Sequence, residues 1–378
     1  MSRNIDDNDT THTSSPVTFG EPWPEFNDGL TYRDLLRSPD SGFTLIQFYS
    51  LRHQTSAPSL GWLQRIENGQ ITVNGTVVSD PNTVLRMGTE LVYHRHPWKE
   101  PYAPYLLEVL FEDDHLIALN KPSGLQVLPG GLFQQRTVLA QLQWRIKNEA
   151  SLLGDQESCP VPVHRLGRGT SGILLCAKTK LAKTRLAALF ADKTSAIVGN
   201  RKLDNEVNKV GKMSKIYRAL ACGIIKDDEV VIDQPIGTVK YPGVAKGLYV
   251  ASPSGKPALS KVHVLKRDVQ NNLTVVQVEI QSGRPHQIRI HLSFIGHPLI
   301  GDPLYLTGGK PQCSVPETVE ETQETFAEDG GYHRPANPVP GDCGYYLHAH
   351  QLVIYHPVTN EMVKITAPLP PVFLSHDE

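Results

Sequence analysis

The chain predicts an α+β fold, a mixed and mostly antiparallel sheet flanked by helices. Three observations carry this. Short runs that alternate in polarity or are rich in β-branched residues outnumber helical stretches. The helices fall between them irregularly, which does not fit a repeated βαβ unit. The chain has 378 residues with 39% hydrophobic and 20% charged side chains, enough for a sizeable core and unlike a collagen-like or wholly disordered chain. At roughly 100 to 200 residues per domain, two or three domains are expected. No apolar run approaches the roughly 18 residues of a membrane span. A soluble chain with no membrane partner is therefore expected.

The first element-free stretch, residues 1–28, is polar and without periodicity, so it reads as a disordered acidic tail. A small domain follows over 29–96. Apolar residues recur at helical spacing from Leu45 to His53 and from Leu60 to Glu67, and Asn68-Gly69 stops the second helix. Gln70-Ile71-Thr72-Val73 and Thr76-Val77-Val78 flank Asn74-Gly75, a strong two-residue hairpin signal. Pro97 to Pro104 is a linker to the main body, residues 105–373.

In the body, Leu116 to Asn120 predicts a strand, Thr137 to Glu149 an amphipathic helix, Gly172 to Ala177 a buried strand and Lys180 to Phe190 a helix. Lys215 to Gly223, Ser260 to Lys266, Leu273 to Gln281 and Leu347 to His356 are strand-like. Two insertions interrupt the body: 193–212 is polar and basic, and 307–344 is acidic, rich in Pro and Gly, with a composition that favours disorder.

A net charge of -2 taken alone argues against nucleic acid. Its distribution reverses that. Residues 161–226 hold 14 Lys and Arg against 3 Asp and Glu, whereas 1–28 sums to -5 and 312–343 to -6. A basic body is masked by two acidic segments. Five well-separated cysteines without Cys-x-x-Cys suggest neither a disulfide framework nor a zinc ribbon, and a reducing compartment is the simpler reading. Residues 1–16 carry three aspartates and one arginine and have no apolar signal core, so a cytoplasmic or nuclear location is expected.

Four patches carry the chemistry. Glu112 to Leu125 is a strand running into Lys121-Pro122-Ser123-Gly124, a tight turn expected to present Lys121 to solvent. His164-Arg165-Leu166-Gly167-Arg168-Gly169-Thr170-Ser171-Gly172 is glycine-rich, but it lacks the Gly-Lys-Ser/Thr order of a P-loop and enters a strand. Lys215-Ile216-Tyr217-Arg218-Ala219 alternates, with Tyr217 placed to stack on a base or to join the core. Gly283-Arg284-Pro285-His286-Gln287-Ile288-Arg289-Ile290-His291, followed by Gly296 to Tyr305, is dense in donors suited to phosphate or carboxylate. His286, His291, His348 and His350 invite a zinc reading, but no convergent third ligand shows in the spacing, so no metal is expected.

In this order the patches resemble RNA pseudouridine synthases of the RluA type, over about residues 106–306 and 345–373. The long insertions look most like the plant members. The small 29–96 unit resembles an αL RNA-binding module, the other reading being an ordinary cap. The resemblance implies the pseudouridine synthase fold and an isomerase that detaches uracil from ribose, rotates it and rejoins it through C5, with RNA as substrate and no cofactor. The base would have to be flipped from the helix. By the family pattern Tyr217 lies against the uracil and Arg289 pairs with the catalytic aspartate. Arg165, Arg168, Lys178, Lys215 and Arg284 supply phosphate contacts, with Lys121 and His286 also on the RNA side.

One position departs. The family's catalytic Asp falls on Gly167, which has no side chain to act as nucleophile or base. Loss of such a group costs on the order of a million-fold in rate. Three accounts stand open. A carboxylate from elsewhere reaches the site, with Asp192, Asp204 and Glu206 nearest in sequence; or the protein binds RNA without catalysis; or the fold is a protein scaffold contacted through 312–343. Arg289, deprived of its expected partner, needs another anion.

Overall fold

Leu116–Lys121 and Ser171–Ala177 are buried at almost every position, as strands covered on both faces must be, whereas Glu229–Asp233 alternates as a strand near an edge does. The computed structural model describes residues 16–153, 159–195, 213–241, 244–280, 282–311, 326–335 and 343–374. Its main sheet has eleven strands. The order runs Thr18–Phe19, Leu107–Glu112, Leu116–Lys121, Ser171–Ala177, Leu347–Tyr355, Ser214–Cys222, Leu273–Ile280, Leu259–Asp268 and Glu229–Asp233. Met362–Thr366 and Val161–Pro162 pair off this path. All pairs are antiparallel except Ser171–Ala177 with Leu347–Tyr355.

That parallel pair positions the site. Parallel strands begin at the same end, so the segments leading into them, His164–Thr170 and Tyr345–Tyr346, share one end of the sheet. The approach is close: Gly172 has φ 101°, and a Cβ there would lie 2.3 Å from the Ala349 carbonyl oxygen. Only glycine fits. Across the next strand Tyr217 pairs with Ala349, so Gly172, Ala349 and Tyr217 form one row.

Alternation separates two cores. On one face Leu119, Leu174, Tyr217 and Val278 meet Val138 and Leu142 of the Val138–Leu153 helix and Ile288 and Leu292 of the Gln287–Phe294 helix. On the other, Leu116, Ile173, Leu175 and Leu352 pack on Ala182 and Leu186 of the Lys180–Ser195 helix. The small unit has its own four-stranded sheet, ordered Leu30–Leu35, Glu90–Arg95, Ile71–Val73 and Thr76–Val77, over helices Leu45–Arg52 and Ser59–Glu67.

Two segments differ from expectation. Residues 17–28 are not a tail: Thr18–Phe19 pairs with Leu107 and Glu108, the Trp23 indole donates to the Ala103 carbonyl, and the Asn27 amide donates to Glu100. Within 307–344, Phe326–Glu328 and His333–Pro335 form a hairpin that lies on the small unit. Composition favours disorder there, but a few well-placed contacts outweigh it. The rest of that acidic insertion (312–325 and 336–342) and most of the basic one (196–212) lie outside the described residues, with Asp204 and Glu206.

Candidate active site

The first patch does not present a cation to solvent. Lys121 is fully buried, and its Nζ donates to the carbonyls of Pro122 at 2.8 Å, Leu125 at 2.8 Å and Arg168 at 3.1 Å. The expectation of a solvent-facing RNA contact is corrected: inside the fold an ammonium needs several acceptors, and the turn supplies them. The Gly124 amide also donates to the Arg168 carbonyl, and Ser123 Oγ donates to the Gly169 carbonyl at 2.7 Å. The Lys-Pro-Ser-Gly turn is thus a brace for the glycine-rich loop. Within that loop the Thr170 amide closes a turn onto the Gly167 carbonyl at 3.0 Å.

Arg289, on the Gln287–Phe294 helix, does find a carboxylate, and it is Asp302. Nε donates to Oδ2 and Nη2 to Oδ1, both at 2.7 Å, in a two-pronged pair with side-chain exposures of 2% and 0%. With Gly167 in place of the family's aspartate, the other anion that Arg289 was expected to need is Asp302. Asp302 Oδ1 also accepts from the amides of Leu304 and Tyr305. With four donors on its two oxygens, Asp302 is committed to holding Arg289. Burial alone works against the Arg289 charge, but the Asp302 hydrogen bonds and the neighbouring Tyr345 raise its pKa above the usual arginine value. Its buried Nη1 has no acceptor.

Tyr345 is the residue that sequence reasoning missed. Its ring stacks under Arg289, with the guanidinium carbon 4.1 Å from the ring centre, and its Oη is 3.2 Å from Thr170 Oγ1. A Cβ built on Gly167 would lie 2.8 Å from that Oη. Gly167 itself is exposed. The hydroxyl therefore occupies the space beside the glycine. No spacing rule links positions 167, 289 and 345; the parallel strand pair does.

Tyr217 is buried in the core shared with Leu166, Ile288 and Tyr345. Burial pushes its phenol up to about 12, so it stays protonated at physiological pH. Strand spacing of about 4.8 Å puts it about 10 Å from Gly172 along their row. Arg165 is exposed, and Arg168 lies over the Phe133 ring at 4.8 Å. Lys178 pairs with Glu112 at 3.2 Å, and Lys215 Nζ sits 5.1 Å from the Phe190 ring centre. Arg284 Nε donates to the Pro257 carbonyl.

The histidines are structural in this arrangement. His286 has a left-handed φ of 55° and its Nδ1 is 2.9 Å from the Tyr305 hydroxyl. That hydroxyl already donates to the Tyr249 carbonyl, so His286 is the donor. His291 Nε2 donates to the Gln234 carbonyl and its Nδ1 accepts from Ser260, each at 2.9 Å. Both its nitrogens are used. A cavity of about 550 Å³ is lined by Tyr345 together with Asn120, Ser123, Ser171, His348 and Phe373, but not by Gly167, Tyr217 or Arg289.

Residues 115–294 match the family described as RNA pseudouridylate synthase. Over 366 residues the chain is 64% identical to RNA pseudouridine synthase 5 of Arabidopsis thaliana, covering 96% of this chain and 99% of that protein. The chain belongs to the RNA pseudouridine synthase family. It is also 61% identical to RNA pseudouridine synthase 5 of Oryza sativa subsp. japonica, over 96% of this chain and 92% of that one. Ribosomal large subunit pseudouridine synthase D of Pseudomonas aeruginosa is 32% identical over 83% of this chain and 84% of its own length. The α+β architecture is thus the pseudouridine synthase fold, and this pseudouridine synthase is an isomerase of uridine in RNA, as the resemblance implies.

Proposed function

We propose that a uridine flipped out of RNA enters at the end of the sheet where the Gly167 loop, Tyr217 and Arg289 come together, and is isomerised there to pseudouridine. The observation that carries this reading is that convergence: three patches far apart in sequence meet through Tyr345 and one core. Tyr217, held as a phenol, offers a flat aromatic contact to the base. Arg289 is held in place by Asp302 and keeps its charge, and its unpaired Nη1 is a donor for a substrate oxygen. Arg165 and Arg168 on the loop, with Lys215 and Arg284 as further cations, are offered to phosphates flanking the flipped nucleotide, whereas Lys178 follows the opposite end of Ser171–Ala177, pairs with Glu112 and does not serve this loop. Lys121 and His286 act from behind, as braces.

The name of the Pseudomonas relative supports ribosomal RNA as the first substrate to try, with transfer RNA as comparison. The test is tritium release from RNA labelled at uridine C5. Release above a boiled control is expected. Tight RNA binding without release would instead mark a silent RNA-binding protein.

A further inference from the structure

We propose that the Tyr345 hydroxyl takes the place of the side chain that position 167 lacks, and is the polar group this site presents to the ribose of the bound uridine. This rests on the isomerase reading above. Four observations converge on it. The place beside Gly167 is filled, because a Cβ there would come within 2.8 Å of Tyr345 Oη, closer than real Cβ contacts allow. The hydroxyl is held by Thr170 Oγ1 of the same loop at 3.2 Å. The ring is held from the other side by Arg289 at 4.1 Å. Lastly, the acid beside Arg289, Asp302, has its oxygens occupied by four donors.

Gly167 and Tyr345 are a matched pair: the glycine leaves room, and the tyrosine fills it with an oxygen. No side chain at 167 coexists with Tyr345 in this position. Tyr345 itself is buried, and its oxygen stands directly beneath Gly167, an exposed loop residue on the side from which a ligand would approach. Arg289 beneath the ring places a fixed positive charge next to any negative charge that develops on the oxygen or the substrate.

The test compares wild type, Tyr345→Phe and the double variant Gly167→Asp/Tyr345→Phe on C5-tritiated RNA, with RNA affinity measured for each. Phe keeps the ring on Arg289 and removes only the oxygen. Tyr345→Phe is expected to lower kcat by about a hundredfold or more, the scale of a lost proton-transferring or charge-stabilising group, with RNA affinity essentially unchanged. The double variant, whose carboxylate now has space, is expected to turn over faster than Tyr345→Phe alone, as coupled groups at one place do. Wild-type kcat in Tyr345→Phe overturns the inference and leaves the isomerase reading intact. So does a parallel collapse of RNA affinity, or a double variant no faster than Tyr345→Phe. Absence of tritium release from wild type overturns both.

Discussion

A guanidinium withdrawn from water is tolerated only with a counter-charge in fixed geometry. Arg289 meets that condition through Asp302, and Asp302 is fixed in turn by the amides of Leu304 and Tyr305. Asp302→Asn keeps the shape and removes the charge. It is expected to destabilise the fold by about 3 to 5 kcal/mol, the usual cost of leaving one member of a buried pair unmatched. Urea unfolding measures this, and a change below about 1 kcal/mol, the range of exposed pairs, would contradict the buried-pair account. At this scale much of the site was legible and one part was not. Arg289 and Tyr217 stand in patches dense enough to single out, and the glycine at 167 is plain. Asp302 lies thirteen positions from Arg289, in a patch visible to the eye, yet nothing local says which carboxylate the arginine chooses. Lys121 misleads because a lysine in a tight turn is normally exposed, and only the carbonyls of its own turn and of the Arg168 loop explain why this one is not. Tyr345 is invisible until the strands are paired.

The Phe326–Glu328 and His333–Pro335 hairpin makes the same point for elements. Its loop carries Asp329, 1% exposed, which pairs with Arg95 and lies 3.6 Å from Arg65. Arg65 also donates to the Asp329 carbonyl, and Gln70 to the Gly330 carbonyl. Tyr332 joins the small unit's core beside Trp62 and Tyr93. Gly331, at φ 94°, would drive a Cβ to 1.9 Å from the Gln70 side-chain oxygen, so the tip requires glycine. Far from being a loose acidic loop, this stretch neutralises two buried arginines. Asp329→Asn is expected to cost about 3 kcal/mol or more. Hydrogen exchange provides the local reading: amides of Ile71–Val73 and Glu90–Arg95 should lose protection before those of Ser171–Ala177. Equal protection in Asp329→Asn and in the wild type would refute the clamp. Where an element has its own periodicity, as in Leu116–Lys121, Val138–Leu153 or Ser214–Cys222, the sequence reads it within a few residues. The hairpin has none. Its order comes from partners more than two hundred residues away, which no local pattern encodes.

For the molecule as a whole, the near-neutral balance is a sum over unlike parts, and part of the negative share is now placed in the fold. Asp28 accepts from Gln135, and Asp329 is buried among arginines, so not all of the acidic charge is spread through solvent over the basic loop. What then shapes the response to acid is three histidines that the fold keeps neutral: His164, which burial and the nearby Lys215 push down to about 3, and the pair His291 and His348. Burial pushes His291 down to about 4, partly opposed by its hydrogen bond to the Gln234 carbonyl. Burial, aided by the neighbouring His350, pushes His348 to about 4 as well. Unfolded, each would take a proton near pH 6.5. Between pH 6.5 and 4 the unfolded chain therefore binds more protons than the folded one, and stability falls as pH drops through that window. For His291 and His348 it is fully present above that window and level below, while His164 carries the fall on to about pH 3. At pH 5 each histidine is expected to remove about 2 kcal/mol relative to pH 7. The urea midpoint should fall accordingly between pH 7 and pH 5. His348→Asn should lower stability at pH 7, because the 2.8 Å bond to Ser171 is lost, yet it should shrink the acid-dependent fall by about the share of one histidine. If the variant loses as much stability on acidification as the wild type, His348 is not one of the groups that must be kept neutral, and the acid response originates elsewhere in the fold.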